Sequence, residues 1–124
     1  MSRIPEAEQI LRSAYKAFNA RDVEGAIELM HPDVDWPNAW EGGRVVGRAA
    51  VRGYWSRQFA AIASNVEPRD FTEASDGSIT VGVHQIVRDA KTGQLLSDSE
   101  ARHRYRFEGG LIVRMDVLES PGRP

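Results

Sequence analysis

From Asp98 to Phe107 the chain alternates without a break: Ser99, Ala101, His103, Tyr105 and Phe107 fall on one side, Asp98, Glu100, Arg102, Arg104 and Arg106 on the other. A period of two demands a β-strand, because neighbouring side chains leave a strand on opposite faces. Every formal charge lies on one side, so this strand predicts a sheet with one covered and one wetted face. Strands are predicted near 66–74, 78–89, 95–107 and 111–119. Asp76-Gly77, Thr92-Gly93 and Gly109-Gly110 separate them, residues that reach the positive φ of tight hairpins. The second of these strands turns Val81, Val83, Gln85 and Val87 to one side, and the last turns Val113, Met115 and Val117 there.

The first third is helical instead. Ile10, Leu11, Ala14, Tyr15, Ala17 and Phe18 recur at three-and-four spacing behind Pro5, Glu6 and Glu8, which suit a helix start. Asn19-Ala20-Arg21-Asp22 ends this helix. Asp22 then caps a second, short helix through Met30, which turns Val23, Ala26, Ile27 and Met30 inward until His31-Pro32 stops it. Within 33–41 a brief strand alternates Val34 and Trp36 against Asp33 and Asp35, and Pro37 ends it. Gly42-Gly43 and Gly47 make a loop, and a third helix spans 48–64 with Val51, Trp55, Phe59 and Ile62 on one face, Tyr54 beside them. Helices followed by a one-sided meander imply an α+β fold, with N-terminal helices packed on one face of a curved, mainly antiparallel sheet. Residues 1–124 read as one domain of common size. A long sheet curled around a helix leaves a cone, whose mouth suits a small-molecule pocket.

Composition removes several function classes. The formal net charge of −2 offers no field for nucleic acid or an anionic membrane. Arg102, Arg104, Arg106 and Arg114 form a basic stripe, but Asp98, Glu100 and Asp116 offer counter-charges, so a salt-bridged sheet surface or dimer interface is expected. With no cysteine, disulfides, thiolate catalysis and thiolate-held metals are excluded. That absence suits a reducing compartment, so a cytoplasmic location is expected. Met1 to Glu6 show no apolar signal region, and no apolar run approaches the roughly 20 residues of a membrane span. His84 projects away from Val83 and Gln85, and His31 precedes a proline at a helix end. The two do not converge with His103, and no metal is expected. The glycines lack a phosphate-binding motif, and no cofactor is expected.

Three groups of residues carry candidate chemistry. Tyr15 is inward by its helical phase, and its buried hydroxyl needs a partner, either a core neighbour or a ligand carbonyl. His103 sits on the uncharged strand face between Ala101 and Tyr105. It reads as an acid or base near neutrality, or as a core residue bonded to Gln85 or Tyr15. Trp36 and Trp40 flank the loop at the expected cavity mouth, and Trp55 serves the core or the same pocket. Gln85, Tyr105 and Met115, on inward strand faces, complete the candidate ligand contacts.

Tyr15 on the first helix, Arg21-Asp22-Val23-Glu24-Gly25-Ala26, His31-Pro32-Asp33-Val34-Asp35-Trp36, Gly47-Arg48-Ala49-Ala50-Val51 and the closing meander follow one another over 7–119. This order resembles the nuclear-transport-factor-2-like superfamily, which includes ketosteroid isomerases and SnoaL-like polyketide cyclases. The resemblance implies a conical cavity between the long helix and the sheet, and a homodimer through the outer sheet face. The isomerases use a helix-borne tyrosine as oxyanion donor, and Tyr15 matches it. Their general base is an aspartate just before a proline on the first strand; here Trp36 precedes Pro37, and the nearest carboxylate is Asp35. Alternation turns Asp35 away from the face of Trp36 unless a bulge re-aims it. Their second donor is an aspartic acid where this chain has His103. The resemblance thus implies His103, Tyr15 and Asp35 as catalytic candidates in a cofactor-independent isomerase, cyclase or hydratase acting on a small apolar carbonyl compound. A non-catalytic ligand-binding or structural dimerisation module stays open, because an indole cannot take the proton that the isomerase aspartate takes.

Overall fold

The structure, a computed structural model, describes residues 4–38 and 42–118, with side chains from Glu6 onward. Trp40 and Glu119 lie outside the described residues. Helix α1 (Ile4–Asn19) buries Ala7, Leu11 and Tyr15 along one stripe, as its four-residue spacing requires. It ends where Arg21 turns into the left-handed region at φ 63°. A non-glycine residue is costly there, and its guanidinium helps hold it: it donates to the Phe18 and Ser64 carbonyls at 3.2 and 2.7 Å and lies 4.7 Å over the Phe59 ring.

The Asp22 carboxylate accepts from Gly25 N at 3.0 Å and caps α2 (Val23–Ile27). A Cβ on Gly25 would stand 2.3 Å from that carboxylate, so the cap requires glycine. Helix α2 is shorter than the periodicity predicts. Met30 is fully buried as expected, but it opens strand β1 (Met30–Pro37) instead of closing the helix. Backbone pairing decides this: Ile112 N donates to Leu29 O at 3.0 Å, and Met30 aligns with Ile112 in a parallel ladder. His31-Pro32 therefore lies inside a strand. The ladder is irregular between Met30 and Asp35, where the missing N–H of Pro32 does least harm.

A short strand β2 (Arg44–Val46) pairs antiparallel with β1, where the glycine-flanked segment predicts only a loop. Helix α3 (Arg48–Ala61) then runs directly into β3 (Ile62–Glu73), followed by β4 (Ile79–Asp89), β5 (Leu95–Glu108) and β6 (Leu111–Leu118). Ile62 and Ser64, expected on the helix, pair with Asp89 and Val87 of β4. The sheet order is β2-β1-β6-β5-β4-β3, with the β1–β6 pair parallel and the rest antiparallel. The result is an α+β arrangement of helices against a curved mixed sheet.

The inner faces of the sheet and helices meet in a core that includes the fully buried Leu11, Met30, Val34, Val51, Val81 and Ile112. Each such side chain contributes roughly 1.5–3 kcal/mol of transfer free energy. One expected face needs correction. On β6, Phe107 pairs with Ile112 and Arg106 with Arg114, so Val113 is the extra residue of a bulge. The bulge turns Ile112 and Met115 inward together, and Val113 leaves the set expected with Met115 and Val117.

Candidate functional site

Helices α1 and α3 and the inner face of the sheet enclose a cavity of about 150 Å³. Its walls are apolar: Phe18 and Trp55 from the helices, Met30, Trp36, Val66 and Met115 from the strands. Trp36 and Trp55 meet edge to face at 5.5 Å. Val117 lines the cavity while remaining 47% exposed, which marks where the cavity reaches solvent. No charged side chain lines it among the described residues.

At its centre three polar side chains from two elements form a hydrogen-bonded chain. The Tyr105 hydroxyl donates to the Tyr15 oxygen at 2.7 Å. The Tyr15 hydroxyl and His103 Nδ1 lie 2.8 Å apart. In the tautomer that carries its proton on Nε2, Nδ1 accepts from the Tyr15 hydroxyl, and donation runs one way from Tyr105 through Tyr15 to His103. The His103 ring itself lines the cavity. Helical phase supplies Tyr15, and strand alternation supplies His103 and Tyr105 two residues apart.

Burial sets the charge of this chain. His103 is 8% exposed, and desolvation lowers its pKa to about 4, so the ring is neutral near pH 7. Tyr15 is pushed well above the usual phenol value by burial and then by the adjacent Tyr105. Burial likewise pushes Tyr105 up. The three groups donate and accept without ionising.

The end of α1 locks this geometry to the far wall. Asn19 Nδ2 donates to Val66 O, and Val66 N donates back to Asn19 Oδ1, both at 2.8 Å. With the Arg21–Ser64 bond, these contacts fix α1 against β3 beside the cavity. The buried Ser64 hydroxyl accepts from Gln85 Nε2 at 3.3 Å. Sequence reasoning treats Asn19 and Arg21 as a helix break and Ser64 as a helix end, and so misses this clamp. A polar Asn–Ala–Arg–Asp stretch behind a helix that carries an inward tyrosine is the signal available for it.

The structure brings His103, Tyr15, Trp36, Trp55, Gln85, Tyr105 and Met115 to one cavity. It does not bring Asp35 there. Strand β1 pairs regularly with β2 from Asp35 to Pro37, so no bulge re-aims the carboxylate. Asp35 instead binds Arg44 and, at 2.8 Å, Arg114 on the outer face. Asp116 joins this network through Arg114 at 2.9 Å and Arg44 at 3.3 Å. Arg106 pairs with Asp76 at 3.2 Å. Asp98, expected among the counter-charges of the arginine stripe, lies 2.6 Å from His84. His31 lies 3.0 Å from Glu108, so the three histidines sit apart, and no metal-holding cluster occurs among the described residues.

A family model described as a SnoaL-like domain matches residues 11–115. No curated protein matches the chain. Among solved structures, an NTF2-like protein of unknown function from Burkholderia pseudomallei K96243 is 26% identical, with 97% of this chain and 92% of that one covered and a TM-score of 0.79. TerC co-crystallised with polyporic acid is 24% identical over 94% of this chain and 92% of its own, with a TM-score of 0.78. A Mycobacterium tuberculosis protein in complex with estradiol-17beta-hemisuccinate is 22% identical over 94% and 95%, with a TM-score of 0.79.

Proposed function

Because the chain belongs to the SnoaL-like domain family, we propose that it takes one small, uncharged, largely apolar carbonyl compound into the cavity and transforms it without a cofactor, by isomerisation, cyclisation or hydration. The observation that carries this reading is the His103–Tyr15–Tyr105 chain, buried in a cavity that no charged side chain lines among the described residues. Such a cavity rejects ions, since burying an unpaired charge costs several kcal/mol. It accepts a neutral ring whose oxygen takes the Nε2–H of His103. A neutral imidazole is a competent electrophile toward a carbonyl. The size agrees with one ring: a dry cavity of about 150 Å³ accommodates benzene. Ligands of the neighbours support a small-molecule site, polyporic acid for TerC and estradiol-17beta-hemisuccinate for the mycobacterial protein.

Thermal stabilisation tests the binding half. Acetophenone raises the melting temperature in a concentration-dependent way, and benzoate, of similar size but anionic, does not. Stabilisation by benzoate and none by acetophenone defeats the reading.

A second reading is a non-catalytic binding module, favoured by the absence of any carboxylate from the cavity lining among the described residues. It predicts stabilisation by carbonyl ligands with no turnover of any. In either reading the ion-paired outer sheet face serves a homodimer, supported by its ordered Asp35–Arg44–Arg114–Asp116 network. Sedimentation of the protein at micromolar concentration as monomer alone removes that part.

A further inference from the structure

Carbon acids need a base, and no carboxylate lines this cavity among the described residues. The hydrogen-bonded chain offers one by another route. Its two ends, His103 and Tyr105, both line the cavity, and Tyr15 joins them through bonds of 2.8 and 2.7 Å. The His103 and Tyr105 rings stand 6.3 Å apart, nearly perpendicular, so one substrate can meet both. On the reading that this cavity binds a neutral carbonyl compound, we propose that His103, Tyr15 and Tyr105 form a closed, uncharged proton relay that tautomerises it, with His103 as the acid at oxygen and Tyr105 as the base at carbon.

The protons balance at each atom. His103 Nε2 gives its proton to the carbonyl oxygen, and Nδ1 takes the hydroxyl proton of Tyr15. Tyr15 oxygen takes the proton of Tyr105, whose oxygen takes a proton from the carbon beside the carbonyl. The C–H electron pair becomes the new C=C bond, and the C=O π pair goes to the new O–H bond. The product is the enol. The relay is left with protons on Tyr105, Tyr15 and Nδ1, and Nε2 bare. Reversal takes the enol proton back on Nε2 and delivers the Tyr105 proton to carbon, at the original atom or at the far end of a conjugated enol. Return to the original atom becomes exchange when the Tyr105 proton has first been replaced from solvent, and delivery to the far end is isomerisation.

No residue ionises along this path, which suits a site where burial disfavours the charged form of every member. Tyr105 is thereby a catalytic residue, and Tyr15 the residue that couples it to His103. An imidazole acting alone needs no second phenol. Tyr15 alone would satisfy its Nδ1.

The test uses acetophenone in D2O, with deuterium entry into its methyl group read by proton NMR. The wild type accelerates exchange over buffer. Tyr105→Phe, which fills the same volume, lowers the rate about 100-fold while acetophenone still raises the melting temperature, and His103→Gln and Tyr15→Phe do the same. Exchange by Tyr105→Phe at the wild-type rate overturns the relay and leaves His103 acting alone. Binding without exchange by the wild type, where NMR shows the Tyr105 hydroxyl proton of the bound complex replaced from solvent faster than the measured exchange, overturns the relay and leaves the binding module. Failure of acetophenone to bind removes the carbonyl-pocket reading itself. Nitrogen-15 NMR of the free protein gives a second check: His103 carries its proton on Nε2, and Tyr105→Phe releases that preference. A wild-type ring protonated on Nδ1 overturns the relay.

Discussion

Consecutive residues of β5 and β1 meet opposite surroundings. Tyr105 and His103 are 2% and 8% exposed, and their side chains are hydrogen-bonded to one another through Tyr15. Arg104 and Arg106, one residue away, reach the carboxylates of Asp116 and Asp76 across the wetted face. On β1 the same step separates Trp36, in the cavity wall, from Asp35, held by two arginines. The inner chain uses neutral polar groups joined one to the next, with Tyr15 in the middle. The outer side uses many charges that share partners. Burial explains the division, because an orphaned polar group costs its full desolvation inside and is rehydrated outside.

The strongest way to break this contrast is to move a charge across the sheet. Val81→Asp places a carboxylate where exposure is 0%, among core side chains. Its cost of several kcal/mol is comparable with the whole stability of a small domain, about 5–15 kcal/mol. The variant is expected to show no cooperative melting transition. Thr80→Asp, next along β4 and partly exposed, shifts stability by no more than about 0.5 kcal/mol in urea titration. Equal effects from the two would dissolve the distinction between the faces.

Acid probes the inner face next. The folded pKa of His103, about 4, lies below the 6.5 of a free imidazole, so between those values the unfolded chain binds the extra proton. The contribution to stability is complete above about pH 6.5 and is lost as pH falls toward 4, roughly 3 kcal/mol in all. Tyr15 faces the ring from α1 and Tyr105 from its own strand, and neither carries charge in that window. The outer carboxylates held low, Asp76 at about 2 among them, lose their contribution only at more acid pH. Chemical denaturation across pH 4–7 measures the slope, and His103→Gln flattens it.

Much of this contrast was legible because it rests on local periodicity. The alternation of 98–107 reports which residues of β5 share a face, and helical phase reports that Tyr15 points inward. Boundaries were less legible where a residue fits two periods. Met30 and Ile62 continue a helical stripe, yet their backbones pair with β6 and β4, partners distant in the chain. Strand β2 has three residues, too few to display a period. The bulge at Val113 depends on register against β5, which no local pattern of β6 reveals. The relay itself joins residues 88 and 90 positions apart, so its members were readable singly but their order of donation was not.

Removing the middle of the inner chain measures what one partner is worth there. Tyr15→Phe leaves His103 Nδ1 and the Tyr105 hydroxyl buried without their bonds, at a cost of about 2 kcal/mol in denaturant unfolding. Tyr15→Phe combined with Tyr105→Phe is expected to cost less than the two single changes added together. Once the central oxygen is gone, the second hydroxyl has no partner left to lose.

The outer face gives the smallest effect and the sharpest counterpart. Asp35→Asn keeps the shape of the side chain and removes the charge that Arg44 and Arg114 share. Both arginines also reach Asp116, and Arg44 donates to the carbonyl oxygens of Asp35 and Met115 at 3.1 and 2.6 Å. The network therefore keeps its cations partnered, and the loss stays within about 1 kcal/mol, shrinking further in high salt. The same variant decides a question of function. Asp35 is the carboxylate nearest in sequence to the proline-adjacent position, but its side chain faces away from the cavity. Deuterium entry into acetophenone is expected to run at the wild-type rate in Asp35→Asn. A large fall with acetophenone binding preserved would mean that the carboxylate reaches the substrate, and that the division between the two faces fails at β1.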